Sequence, residues 1–208
     1  MRIVIADDHP VILMGLRLGL TGQSARFEIV GEARSGKELF SILASGPCDL
    51  LITDFSMVGE TEGEDGLDML SAIHESYPSL PVIVLSMLNN PALVQGMLSF
   101  GVRAVVDKTS LTKELMIAIN AVVAGRMYLS EYTKKQLLEY SAEGSRALSA
   151  REAEVVRLFV QGISVTEIAQ RTGKSVRTIS QQKRDAMRKL GIANDKDLYE
   201  YARSTGLL

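Results

Sequence analysis

An α/β doubly wound sheet followed by a small all-helical domain is the architecture this sequence predicts, and three observations carry it. Short apolar runs alternate with helix-patterned segments through residues 1–125, the rhythm of a parallel sheet with helices on both faces. Four of those runs end in a polar residue: Ile3-Val4-Ile5-Ala6 in Asp7, Leu50-Leu51-Ile52-Thr53 in Asp54, Val82-Ile83-Val84-Leu85 in Ser86, and the run to Val106 in Asp107-Lys108. From Leu148 onward strand signals stop and four short helical segments follow.

Five strands are expected, at about 2–6, 27–33, 49–53, 81–85 and 103–107. They are Val-, Ile- and Leu-rich, as strands buried on both faces are. Helices are expected at about 10–21, 36–45, 66–77, 91–100 and 111–125, with Gly125 as the last stop. Residues 126–147 read as a linker with some helix of its own: 131–140 holds good helix formers, and 142–146 has little apolar content and reads as mobile. In residues 148–208, Ser149 with Glu152 and Ser164 with Glu167 form capping boxes. Ser175 can cap a third helix that runs to Leu190 before Gly191, and Asn194 a fourth that runs to about Ser204.

In an open parallel sheet all carboxyl strand ends lie along one edge, where ligands bind. That edge would hold Asp7, Asp8, Asp54, Ser86 and Lys108. Three clustered carboxylates repel one another, and a hard cation with oxygen ligands relieves them; Mg²⁺ fits best.

This constellation resembles the receiver domain of bacterial two-component response regulators, a flavodoxin-like fold. The resemblance implies that Asp54 accepts a phosphoryl group from a phosphohistidine on a sensor histidine kinase or phosphotransfer protein. It also implies that Asp8 and Asp54 ligate Mg²⁺ directly, with the backbone carbonyl of Ser56, and that Asp7 acts through water. Lys108 would neutralise phosphate charge and Ser86 would hydrogen-bond the phosphoryl oxygen. The chain departs from the usual pattern in four places. Position 58 is Val, the loop from Gly59 to Gly66 is long and acidic, position 105 is Val where an aromatic is common, and bulky Met87 follows Ser86.

Composition sets further bounds. The chain has 208 residues, 46% of them apolar, and a net charge of −2 that is unevenly divided. Residues 1–130 carry 9 Lys+Arg against 15 Asp+Glu, while residues 146–208 carry 12 against 7. An acidic first domain suits a cation site and a basic last domain suits a polyanion such as double-stranded DNA. The single Cys48 excludes an intrachain disulfide and fits a reducing cytoplasm. No signal peptide is expected, because acids interrupt the first apolar run, and Val11–Leu20 is too short to span a bilayer and carries Arg17.

The segment from Val176 to Leu190 has two faces. Val176, Ile179, Ala186, Met187 and Leu190 recur at core spacing. Arg177, Gln181, Arg184 and Arg188 fall at i, i+4, i+7 and i+11 on another face. Gln181 and Arg184, with Ser180 beside them, are candidates for base edges; Thr166, Thr178, Lys183 and Arg188 are candidates for phosphates. The alternative is a solvated charged face. Leu148-Ser149-x-Arg151-Glu152-x-Glu154-Val155, Gly162-x-Ser164-x-x-Glu167-Ile168-Ala169, Thr178-Ile179 and Lys189-Leu190-Gly191-Ile192 resemble the LuxR-type helix-turn-helix. With the first domain, the whole chain resembles the NarL/FixJ class of response regulators. Thr53-Asp54-Phe55-Ser56-Met57, Asn89-Asn90-Pro91, Val165-Thr166-Glu167-Ile168-Ala169 and Thr178-Ile179-Ser180-x-Gln182-Lys183 resemble, within it, the RcsB type. Ser180 and Gln182 stand where Lys and His are common. The domains are then a receiver at 1–125, a linker at 126–147 and a helix-turn-helix at 148–208.

In the first helix Ile12, Leu16 and Leu20 form a stripe that can pack on a sheet, and Val11, Met14 and Leu18 form a second, roughly opposite. Met116 and Ile117 add apolar surface to the helix at 111–125 beyond its core residues Leu115, Ile119 and Val122. This suggests a homodimer, or a heterodimer with an auxiliary regulator; tighter packing within the chain is the alternative. The leading function is a transcription regulator controlled by Mg²⁺-dependent phosphorylation, and a DNA-binding regulator controlled mainly by a partner protein is the runner-up. A haloacid-dehalogenase-like phosphatase is disfavoured, since Asp54-x-Ser56 lacks the second acid of its Asp-x-Asp pattern. Single-stranded RNA recognition is disfavoured because no exposed aromatic platform is evident.

Overall fold

The computed structural model describes residues 1–22, 26–57, 66–87, 90–142 and 148–204. Most of the acidic loop from Gly59 to Gly66 and of the segment 142–146 singled out above lies outside these residues. Two compact units are present, one within residues 1–131 (90–93 apart) and one from Tyr132 onward.

The first unit is a single sheet. Strands β1 (Arg2–Ala6), β2 (Glu28–Ala33), β3 (Leu50–Asp54), β4 (Val82–Ser86), β5 (Ala104–Asp107) and β6 (Tyr128–Leu129) lie in the order β2-β1-β3-β4-β5-β6. Every neighbouring pair is parallel. Parallel neighbours need crossovers, and these contain α1 (Pro10–Thr21), α2 (Gly36–Ser45), α3 (Gly66–Ser76), α4 (Pro91–Ser99) and α5 (Leu111–Val123). Among the described residues the sheet has six strands rather than the expected five. The sixth lies in the segment read as a linker and pairs Tyr128 with Ala104 and Leu129 with Val105. Two residues are too short to show any period in a sequence.

Alternation along the strands divides the core. Ile3, Ile5, Leu50, Ile52, Ile83, Leu85, Ala104 and Val106 pack with Leu13, Leu16 and Leu20 of α1 and with Leu115, Ala118, Ile119 and Val122 of α5. Val4, Leu51, Val84 and Val105 point to the opposite face, and α2, α3 and α4 bury Leu39, Leu43, Met69, Ile73, Val94 and Met97. The inward stripe of α1 centres on Leu13, with Ile12 only partly buried. Strand β1 lies between β2 and β3, so the chain reverses direction across the sheet at the β1/β3 boundary. Such a switch point opens a crevice at the carboxyl strand ends. Registers of Ala6 with Thr53, Asp54 with Leu85 and Ser86 with Asp107 bring the polar strand ends to that crevice.

The second unit is helical, with α6 (Glu131–Ala142), α7 (Ala150–Val160), α8 (Val165–Thr172), α9 (Val176–Lys189) and α10 (Asp195–Ser204). Both expected capping boxes form, at Ser149/Glu152 and Ser164/Glu167, and Ser175 caps α9 by accepting the Thr178 N–H. Gly173, at φ 65°, makes the left-handed turn between α8 and α9 that an L side chain resists. Val156, Val160, Ala186, Met187, Leu190, Ile192, Leu198 and Ala202 form one core cluster; Val155, Ile168, Ala169 and Ile179 form another. Val176 was expected in this core, but the first turn of α9 leaves it exposed.

The Glu152 carboxylate ties this unit together. It accepts the Ser149 N–H and O–H at 2.7 Å each and pairs with Lys189 Nζ at 2.6 Å. Burial pushes the carboxyl up, but Lys189 and Ser149 outweigh it and hold the group at about 2. A carboxyl held below its unfolded value stabilises the fold above that unfolded value, and the contribution disappears as pH falls toward the folded value. Wild type should therefore melt at a higher temperature than Glu152→Gln near pH 6, and the gap should close between about pH 4.5 and pH 2. Circular-dichroism melts across that range check this; a gap independent of pH would mean that charge is not the source.

Candidate functional site

Three elements bring the charged groups to the crevice. β1 delivers Asp7 and Asp8, β3 delivers Asp54, and the single turn after β5 delivers Lys108. Asp7 is fully buried and Asp54 nearly so. Lys108 Nζ lies 2.8 Å from Asp7 Oδ2 and 2.7 Å from Asp54 Oδ2, so one ammonium bridges two buried carboxylates. Burial raises the Asp54 carboxyl to about 6, against the pull of Lys108 and the Ser56 backbone N–H. Burial opposes the Lys108 charge, but Asp54 and Asp7 more than offset it and raise the ammonium above its ordinary value. Ser86 is buried at the end of β4, one residue beyond the partner of Asp54.

Asp7 also turns the chain. Its Oδ1 accepts the His9 N–H at 2.9 Å, and Pro10 then opens α1. The His9 ring Nδ1 sits 2.6 Å from Asp8 Oδ1 and 3.3 Å from Asp7 Oδ1. In the sequence His9 is marked only by its adjacency to the acid pair. Donor atoms of Asp7, Asp8, His9 and Asp54 all lie within 4.8 Å of one another. Three carboxylates against one ammonium leave a negative, oxygen-rich donor set, which fits a hard dication.

On α9, Arg177, Thr178, Gln181, Arg184 and Arg188 are exposed, with Ser180 half-buried beside them; Thr166 is exposed on α8. Lys183 does not join this face. Its ammonium lies 3.6 Å from the centroid of the Phe159 ring and 2.7 Å from Asp195 Oδ1, and its side chain is only 13% exposed. The reason is helical geometry: Lys183 is four residues from both Ile179 and Met187, two core positions. Asp185, which is not part of the outward stripe expected from the sequence, is hydrogen-bonded to Gln181 and Arg188 on the outward side.

The second stripe of α1 faces solvent, with Val11, Met14 and Leu18 at 77%, 59% and 68% exposure. On α5, Ile117 is 55% exposed, but Met116 is partly buried against the sheet core and is not free surface.

Residues 3–120 match the family described as response regulator receiver domain, and residues 146–202 match bacterial regulatory proteins of the luxR family. The chain belongs to the response regulators. This regulator is 40% identical over 209 residues to the transcriptional regulatory protein RcsB of Salmonella typhi, covering all of this chain and 96% of that protein. It is 31% identical to the oxygen regulatory protein NreC of Staphylococcus epidermidis, covering 100% and 99%. Among solved structures it is similar to RcsB from Salmonella enterica serovar Typhimurium bound to promoter P1flhDC in the presence of the phosphomimetic BeF3⁻. That likeness has a TM-score of 0.88 and 39% identity, over 99% of this chain and 98% of that one. An RcsB–DNA complex gives a TM-score of 0.84 at 39% identity, over 98% of each chain.

The placement of Lys183 has a consequence for stability. Lys183→Met should lower the stability of the regulator's helical unit by about 1–2 kcal/mol through loss of the ring contact and the ion pair. Arg177→Ala, on the exposed face, should stay within about 0.5 kcal/mol of wild type. Urea unfolding of the two variants tests the contrast, and equal losses would contradict it.

Proposed function

We propose that this chain is a transcriptional response regulator that binds double-stranded DNA and is controlled by phosphorylation of Asp54. The observation that carries this reading is the bridging of Asp7 and Asp54 by Lys108 at the switch-point crevice. A phosphoryl-accepting carboxylate needs a fixed cation beside it, because charge builds on the transferring oxygens.

An Asp54 oxygen takes the phosphoryl group from a phosphohistidine of a sensor kinase or phosphotransfer protein. The O–P bond forms, the P–N bond breaks, and the imidazole nitrogen leaves with a proton. Held at about 6, Asp54 is mostly ionised and nucleophilic at neutral pH. Lys108 stays charged and neutralises the acyl phosphate, and Ser86 donates its hydroxyl to a phosphoryl oxygen. Mg²⁺ would be held by Asp8, Asp54 and the Ser56 backbone carbonyl, with Asp7 acting through water, and supplies charge neutralisation at the phosphoryl group. The role is regulatory rather than enzymatic.

On the output side, α9 enters the major groove and its exposed cations meet phosphates. RcsB, at 39% identity, has been solved in complex with DNA, which supports DNA binding by a chain of this similarity. The exposed α1 stripe and Ile117 pair with a second copy or with an auxiliary regulator. A kinase donor and a DNA target place this work in the cytoplasm, and among the described residues no helix is long and apolar enough to cross a membrane.

Incubation with acetyl phosphate and Mg²⁺ should phosphorylate wild type but neither Asp54→Ala nor Asp8→Ala. Phosphate-affinity gels read the result, and full phosphorylation of Asp8→Ala in chelator would falsify the scheme. If Asp54→Ala keeps normal gene regulation in cells, control lies instead with a partner protein.

For assembly, Leu18→Glu should abolish association while leaving the melting temperature of the first unit unchanged, because a charge must be desolvated only when copies meet. Leu16→Glu, in the core, should unfold it. Sedimentation equilibrium with parallel melts distinguishes the two, and unfolding of Leu18→Glu would place the stripe in the core.

A further inference from the structure

An acid is out of place on a helix face that meets phosphates, yet Asp185 sits there. It lies four residues after Gln181 and three before Arg188, the spacings at which helical side chains touch. Gln181 Nε2 donates toward Asp185 Oδ1 at 3.1 Å and Oδ2 at 3.2 Å. Arg188 Nη2 donates to Asp185 Oδ1 at 2.9 Å. Arg184 Nη2 donates to Gln181 Oε1 at 2.8 Å. Four side chains thus form one hydrogen-bonded row, Arg184–Gln181–Asp185–Arg188.

The row removes a freedom that glutamine normally has. A carboxylate can only accept, so the amide nitrogen must face Asp185. A guanidinium can only donate, so the amide oxygen must face Arg184. A single N–H, nearly equidistant from both carboxylate oxygens, can make both contacts. Where Asp185 takes the N–H trans to the carbonyl and Arg184 the outer lone pair, the other N–H and lone pair remain available side by side on one edge of the amide. A donor beside an acceptor complements adenine, which shows its N7 acceptor and N6 donor in the major groove. Asp185 also opposes the Arg188 charge and repels phosphate, so it weakens attraction to DNA in general.

We propose that Asp185 is a positioning residue for sequence readout: it locks the Gln181 amide so that this helix reads an adenine, and its charge penalises DNA that lacks one. The proposal rests on the DNA-binding reading of α9 and specifies the base class recognised there.

The test uses the full chain, treated with acetyl phosphate and Mg²⁺, and a pool of duplexes randomised over about 20 base pairs, two helical turns. Wild type should select an adenine at one position of each half-site. Replacing that A·T pair by G·C should cost about tenfold in affinity. Gln181→Ala should flatten the same position. Asp185→Ala should reduce discrimination there to about twofold or less, keep the other selected positions, and bind a scrambled duplex more tightly than wild type. Asp185→Asn keeps an acceptor without the charge; it should retain the adenine preference yet bind scrambled DNA as tightly as Asp185→Ala. Thermal melts of all three variants should match wild type, which separates positioning from a structural role. If Asp185→Ala selects the same base with undiminished discrimination, or loses every position equally, the proposal is overturned while DNA binding stands. If wild type selects nothing from the pool, the DNA-binding reading of α9 falls and takes the proposal with it.

Discussion

The Lys108 ammonium holds two buried carboxylates at once, and much of the first unit is arranged around that fact. Asp7 and Asp54 come from β1 and β3, which the sheet order makes neighbours, and Lys108 comes from the end of β5. Charges removed from water are tolerated only when paired, and taking one member from such a group costs about 3–5 kcal/mol. The strand ends, the entry into α1 through Asp7 and the short turn into α5 are therefore mutually constrained. Asp107 secures that turn by accepting the Thr109 N–H at 2.8 Å. A phosphoryl group on Asp54 would compete for the same ammonium, so the chemistry proposed for the site acts on the contact that orders its surroundings.

The helical unit divides its cations between two tasks. Lys183 and Lys189 turn inward, one onto Phe159 and Asp195, the other onto Glu152. Arg177, Arg184 and Arg188 stay outside. Both lysines bury a flexible stem and find an acid, while the guanidiniums, with fork-shaped donors, remain where planar recognition is possible. The charge of α9 in the sequence thus overstates the charge it presents.

What could be read from the sequence follows the length of each signal. The five longer strands and the helices between them were legible because each repeats its pattern over several residues. The acids, hydroxyl and lysine at strand ends were legible because a parallel sheet leaves their burial edge no choice. β6 was not, since Tyr128 and Leu129 are strand only through their pairing with β5. Lys183 flanks the outward stripe in sequence, but its spacing of four from both Ile179 and Met187 turns its long side chain toward Phe159 and Asp195, contacts that spacing alone does not reveal. Val176 was misplaced because a helix's first turn has fewer neighbours to cover it. The contacts of His9 and Asp185 have no sequence signature, because they are made to side chains placed by other elements, and no motif marks a contact.

The two stripes of α1 are separable. Leu13, Leu16 and Leu20 carry its attachment to the sheet, while Val11, Met14 and Leu18 contribute little to that core. Folding and the proposed self-association would then be two equilibria, of which only the second depends on concentration. The protomer would be complete and stable when dilute, and such pairing could be retuned, strengthened or redirected to another partner by substitutions that leave the folding free energy almost untouched. A surface of this kind can change partners over evolutionary time without passing through an unfolded intermediate sequence.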